Sequence, residues 1–197
     1  VGRLPYLLAA GFKGPIICSI PSAKLLPLVI EDALKIGFTR NAQLIERFQQ
    51  QLESQIVSVP YGKWHTVVEK TDESHISTRV KLKRAGHILG SSYVEVAHQY
   101  PDGKKERVIF SGDLGAPYAP LLPAPKSPYG CEQLVLESTY GDRNHPGRRQ
   151  RRATLKHAIE QALTNGGTVM VPAFSIGRTQ ELLYELEGII YEAERNA

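Results

Sequence analysis

The sequence predicts a mixed α/β fold, and three observations predict it. Apolar residues recur at helical spacing near both ends of the chain. Strict alternation dominates the middle, and the order runs from hairpin strands into alternating helix and strand. The 197 residues, 42% of them hydrophobic, suit one large domain or one domain plus the start of another.

Taken in order, Gly2 to Ala10 reads as a helix with Leu4, Leu7 and Leu8 on it, stopped by Gly11. "GPIICSI" is a continuous apolar run, as in a buried strand. Ser22 is placed to cap a helix through Lys35, with Leu25, Leu26, Val29 and Leu34 near one face and Gly37 as its stop. Asn41 to Ile56 forms a second, more polar amphipathic helix. "STRVKLKRA" then alternates, with Arg79, Lys81 and Lys83 on one face and Val80 and Leu82 on the other, which predicts a half-exposed strand. "SYVEVAH" and "ERVIFSG" flank the Pro-Asp-Gly turn signal and form a hairpin. Five prolines between Ala116 and Pro128 make an irregular loop. "QLVLES" is expected as a short buried strand, Arg149 to Leu163 as a helix, "GTVMVPA" as a strand and Ile176 to Glu194 as a helix. Repeats and low-complexity runs are missing.

Composition narrows the function classes. No apolar run approaches the roughly 18–20 residues of a membrane-spanning helix, and no charged and then hydrophobic leader opens the chain, so neither membrane insertion nor secretion is expected. Cys18 and Cys131 are too few and too far apart for a disulfide framework or a CxxC zinc site, and a reducing, cytoplasmic setting is expected. The net charge of +4 is concentrated: "RNHPGRRQRR" holds five arginines and no acid, leaving the rest near neutral.

Three clusters carry chemistry. Each follows an apolar run and breaks it with Gly, Asp, Glu or His: "AGHILGSS" with His87, "VIFSGDLG" with Asp113, and "LVLESTYGDR" with Glu137 and Asp142. Glycines there let the backbone approach whatever the side chains hold. A catalytic zinc site draws His nitrogens and carboxylate oxygens from several strand ends and keeps an open position, a character His87 and Asp113 share. Each residue alone has a plainer reading: His87 as a turn residue, Asp113 as a turn former or helix cap, and Glu137 as a partner for an arginine.

In their order, "AGHILGSSYVEV", "VIFSGDLG", "LVLESTYGDR" and "GGTVMVPAFSIGRTQELLYEL" resemble the metallo-β-lactamase superfamily, and within it the β-CASP branch of RNA- and DNA-processing nucleases. The resemblance runs from "GRLPYLLAAGFKGPIICS" onward and is loosest between about Phe38 and Lys70; "PAFSIGRTQELL" is its most branch-specific stretch. It implies an αββα sandwich, incomplete at its N-terminal side, over residues 1–165, leading into a βα-repeating β-CASP domain over residues 166–197. It makes His87 a zinc ligand, Asp113 a carboxylate bridging two metals, and Glu137 an acid supporting a later histidine; Asp113 and Glu137 are thus the implied catalytic carboxylates. Two zinc ions are expected, with manganese also compatible with the ligands. Cleavage of a phosphodiester would use a zinc-bound hydroxide attacking phosphorus in line with the departing oxygen.

The chain also departs from the family. The HxHxDH motif is missing, and the later β-CASP histidines would lie past Ala197. His65, His75, His98, His145 and His157 match no expected ligand motif. With Val1 first and Met170 the sole methionine, the sequence reads as an internal piece of a longer protein, expected to be inactive alone.

The arginines at the start of the helix after Arg149 oppose its dipole. Arg143, Arg148 and Arg149 are candidate phosphate contacts, because arginine grips phosphate bidentately; a solvated loop paired with Glu132, Glu137 or Asp142 is the alternative. The "AFSIGR" turn adds Ser175 and Arg178 as candidates. The expected partner is RNA, single-stranded, with DNA as the alternative and no membrane; a homo-oligomer is left open. A zinc-dependent nuclease leads, ahead of a catalytically silent β-CASP scaffold or RNA-binding subunit, and of a small-molecule hydrolase of the wider superfamily.

Overall fold

The computed structural model describes residues 1–71, 75–144, 147 and 150–195. Two compact units divide the chain: Val1–Pro117 with Pro123–Glu137, and Tyr118–Leu122 with Ser138–Ala197.

The first unit opens with helix α1 (Leu4–Ala9), strand β1 (Ile16–Ser19), helix α2 (Ile20–Gly37), helix α3 (Ala42–Gln55) and strand β2 (Ile56–Val59). β2 pairs parallel with β1, Ile16 opposite Ile56. The core lies here, where Leu8, Leu26, Ile30, Leu34, Ile45 and Leu52 interdigitate with Phe12 and Phe48 against them. Leu26, Ile30 and Leu34 recur every four residues, so one stripe of α2 is buried although Pro27 interrupts its hydrogen-bond ladder. The helix starts earlier than its sequence signal: Ser19 is the cap, and its Oγ accepts the Ser22 N–H at 3.2 Å. Ser22 belongs to the first turn, because Pro21 fits that turn without needing a donor.

A five-stranded sheet follows: β3 (Trp64–Val68), β4 (Ser77–Arg84), β5 (Ser92–Gln99), β6 (Lys105–Phe110) and β7 (Gln133–Val135), in sequence order. All pairs are antiparallel except β6–β7, which is parallel and returns through the proline-rich loop. The hairpin turns where predicted, with Asp102 Oδ1 accepting the Lys104 N–H at 2.9 Å. Alternation in β4 holds, but its cationic face is not simply solvated. Lys81 lies under the Trp64 ring and pairs at 2.7 Å with Glu95, which is 2% exposed. β7 is not buried as predicted: Leu134, Val135 and Leu136 are all more than half exposed, since no described element of this unit covers them.

The second unit holds helix α4 (Arg151–Thr164) and helix α5 (Arg178–Arg195). Leu155, Ile159 and Leu163 of α4 and Leu182 and Leu186 of α5 line an apolar groove of about 400 Å³ with Gly167–Val169 and Val171. The "GTVMVPA" segment borders this groove without becoming a strand. An apolar run becomes a strand only where a neighbouring backbone completes its ladder of hydrogen bonds, and no described strand pairs with this one.

Candidate metal and nuclease site

His87 follows β4 by three residues and Asp113 follows β6 by three, so both stand on loops at one end of the sheet. Nε2 of His87 lies 3.9 Å from Oδ2 of Asp113, with the side chains 38% and 73% exposed. That is too long for a hydrogen bond. It falls within the span open to two donors each about 2.1 Å from a shared zinc, which cannot stand more than about 4.2 Å apart. The chemistry suits such an ion: one imidazole nitrogen and one carboxylate oxygen, both open to solvent. Among the described residues no group of three or more His, Cys, Asp or Glu side chains is placed to hold a metal. The pair is therefore a partial donor set.

The His87 loop is fixed from three directions. Within it, the Ser91 hydroxyl accepts the His87 and Ile88 N–H groups at 3.1 and 3.2 Å. From α2, the hydroxyls of Ser19 and Ser22 both donate to the Gly90 carbonyl, at 2.7 and 2.9 Å. A Cβ on Gly90 would stand 2.5 Å from Ser22 Oγ, so only glycine lets the loop come this near. From the Asp113 side, Gly115 N–H donates to Ala85 C=O at 2.7 Å, and a Cβ on Gly115 would overlap the Gly86 carbonyl.

Glu137 faces the same loop. Its carboxylate accepts the N–H of Leu114, next to Asp113, and its own N–H donates to Ser111 Oγ at 2.9 Å. Ser111 N–H in turn donates to Val135 C=O at 2.9 Å. The structure thus brings His87, Asp113 and Glu137 into one neighbourhood, Glu137 as a brace for the Asp113 loop.

The candidate phosphate contacts lie in the second unit. Arg143 pairs with Asp142 at 3.1 Å, both strongly exposed. Arg178 pairs with Glu181 at 2.7 Å, and the Ser175 carbonyl accepts from Gln180 Nε2 at 2.9 Å. Arg148, Arg149 and His145 lie outside the described residues. Two further arginines of the basic segment are committed within the fold: Arg151 and Arg152 reach Glu185 of α5 at 3.0 and 2.6 Å. Sequence reasoning missed Ser19, Gly90, Ser91, Ser111 and Gly115 as supports; Ser19 was findable only as a cap, from its place directly before the Ile-Pro that starts α2.

Fold and site together define a mixed α/β protein whose imidazole and carboxylates gather on loops at one end of a sheet. No protein-family model matches the chain. It is 30% identical over 191 residues to ribonuclease TTHA0252 of Thermus thermophilus, covering 94% of this chain and 40% of that protein. It is 32% identical over 194 residues to the transcription termination factor FttA of Methanothermobacter thermautotrophicus, covering 96% and 29%. Against the RNase aCSPSF2 of Saccharolobus solfataricus the identity is 39% over 199 residues, covering 100% and 36%. These relatives match the family that the sequence resembles, the β-CASP branch of the metallo-β-lactamase superfamily. The chain spans between 29% and 40% of the length of these three relatives.

Proposed function

We propose that this chain is the part of a metal-dependent ribonuclease in which His87 and Asp113 hold a catalytic metal, zinc in the first instance, and phosphodiester bonds of RNA are hydrolysed. The observation that carries the reading is the 3.9 Å approach of His87 Nε2 to Asp113 Oδ2 across two loops in backbone contact. Its support in kind comes from relatives named as ribonucleases. Bound zinc supplies Lewis acidity toward a phosphoryl oxygen and a lowered pKa for water.

The chain's own residues supply position. His87 offers a nitrogen donor whose backbone N–H is already held by Ser91. Asp113 offers a carboxylate whose neighbour Leu114 is held by Glu137. Arg178, Ser175, Arg143, Arg148 and Arg149 belong to the same reading as phosphate contacts. The Arg143 and Arg178 ion pairs are exposed at the arginine, and such pairs contribute little, so a phosphate displaces the carboxylate at small cost. The reading includes the αββα arrangement for residues 1–165, a β-CASP domain beginning near Gly166, and a reducing cytoplasmic setting for Cys18 and Cys131.

The test is cleavage of end-labelled single-stranded RNA by the full-length protein with zinc, with chelator, and as His87→Ala. Cleavage that stops with chelator and falls more than about a hundredfold in the variant is expected. Undiminished cleavage by His87→Ala, or none by the wild type with zinc or manganese, overturns the reading.

A further inference from the structure

We infer that Arg84, stacked on Tyr61, is a phosphate clamp that holds the RNA backbone beside the His87 loop. The inference rests on the ribonuclease reading and adds to it a contact on the first unit. Arg84 is the last residue of β4. Its Cα lies within about 11 Å of that of His87, the most that three residues of chain can span.

The guanidinium of Arg84 stands 4.9 Å from the centroid of the Tyr61 ring. That ring is fixed to the site: Tyr61 Oη donates to the Ser91 carbonyl at 3.2 Å, the same carbonyl that accepts the Ala85 N–H at 3.2 Å. The following Gly62 N–H donates to Leu82 C=O at 2.8 Å. The arginine is therefore ordered by a platform that belongs to the loop carrying His87.

Its charge has no carboxylate partner among the described residues, in contrast to Lys81, Arg143, Arg151, Arg152 and Arg178, which all have one. Arg84 is exposed, and so is Lys63, two residues past Tyr61. Contact with the ring restrains the side chain, and its exposure leaves the guanidinium open to an anion. A phosphate takes two guanidinium N–H donors at once. In metal-free protein the exposed carboxylate of Asp113 repels the polyanion, and a fixed cation at the same end of the sheet offsets that repulsion. Contact of this kind reads no bases, so it acts on any single strand long enough to reach both residues.

The experiment measures binding of a fluorescent single-stranded RNA to the full-length protein in chelator, across salt concentrations, and steady-state cleavage with zinc. The variants are Arg84→Ala, Arg84→Lys and, as a charge control, Arg47→Ala on an exposed face of α3. Arg84→Ala should weaken binding roughly tenfold and flatten the salt slope by about 0.7, the value for one phosphate contact on a single strand. KM should rise with kcat nearly constant, Arg84→Lys should fall between, and Arg47→Ala should match wild type. Equal effects of Arg84→Ala and Arg47→Ala would reduce the result to net charge and overturn the clamp. Wild-type binding and cleavage with an unaffected Arg84→Ala would overturn the clamp and leave the ribonuclease reading intact. A wild type that neither binds nor cleaves RNA would overturn both.

Discussion

Gly115 lies in backbone contact with Gly86: its N–H donates to Ala85 C=O at 2.7 Å, and a side chain on it would occupy the Gly86 carbonyl. Gly86 precedes His87, and Gly115 follows Asp113 by two residues. The contact therefore couples the two loops that carry the candidate donors. A shift in either changes the separation of His87 and Asp113.

Gly115→Ala should consequently damage both fold and site. The obstructing atoms are backbone, which cannot rotate away, so a destabilisation of about 3 kcal/mol is expected. Chemical denaturation reads this directly. A midpoint equal to wild type would show that the loops part without cost.

Ser19 acts from farther off. Its hydroxyl is buried, caps α2 and donates to Gly90 C=O at 2.7 Å. Ser19→Ala should cost about 1–2 kcal/mol and weaken metal binding, because the His87 loop loses one of its anchors. Ser19→Thr keeps the hydroxyl and should restore metal affinity more fully than stability. Equal metal affinity in Ser19→Ala and wild type would confine Ser19 to a capping role.

The nearness of the two candidate donors was legible because chemistry and backbone agree locally. His87 and Asp113 each sit beside glycine directly after an alternating run, and the structure puts both on loops at one sheet end. Ser91 apart, their supports were not legible, because they join residues remote in sequence. Ser19 meets Gly90 across 71 positions, and nothing near either one signals it. For the same reason the basic segment did not reveal that Arg151 and Arg152 meet an acid, Glu185, more than thirty residues later on another helix. Helix α2 was read with its cap three residues late because both Ser19 and Ser22 are good capping residues. The "GTVMVPA" run has strand composition but no ladder partner among the described residues, a fact no local pattern encodes.

Charge within the sheet gives a third prediction. Lys81→Ala strands the Glu95 carboxylate, 2% exposed, and should cost about 3–5 kcal/mol. Replacing both, as Lys81→Met with Glu95→Leu, should recover most of it, since an apolar pair needs no compensation. Denaturation midpoints of the single and double variants settle the matter; a double variant no better than the single would contradict it.

The α4–α5 contact should respond to acid. Burial pushes the Glu185 carboxyl up, but Arg152 and Arg151 outweigh burial and hold it below its ordinary 4.5. A carboxyl with a depressed folded-state pKa stabilises the fold above its unfolded value, and that contribution fades as pH falls through the folded one. Protection of the amides in α4 and α5, after correction for the intrinsic pH dependence of exchange, should therefore fall below about pH 4.5. Glu185→Gln should exchange faster at neutral pH and show less of this acid dependence. Identical pH profiles would remove Glu185 from the contact.

The most direct measurement is zinc per chain, by mass spectrometry, on full-length protein purified without chelator, beside His87→Ala and Asp113→Ala. The account predicts stoichiometric metal in the wild type and loss of metal in both variants, with the fold retained by circular dichroism. Folded variants that keep their full metal content would contradict it, because His87 and Asp113 would then hold none of it.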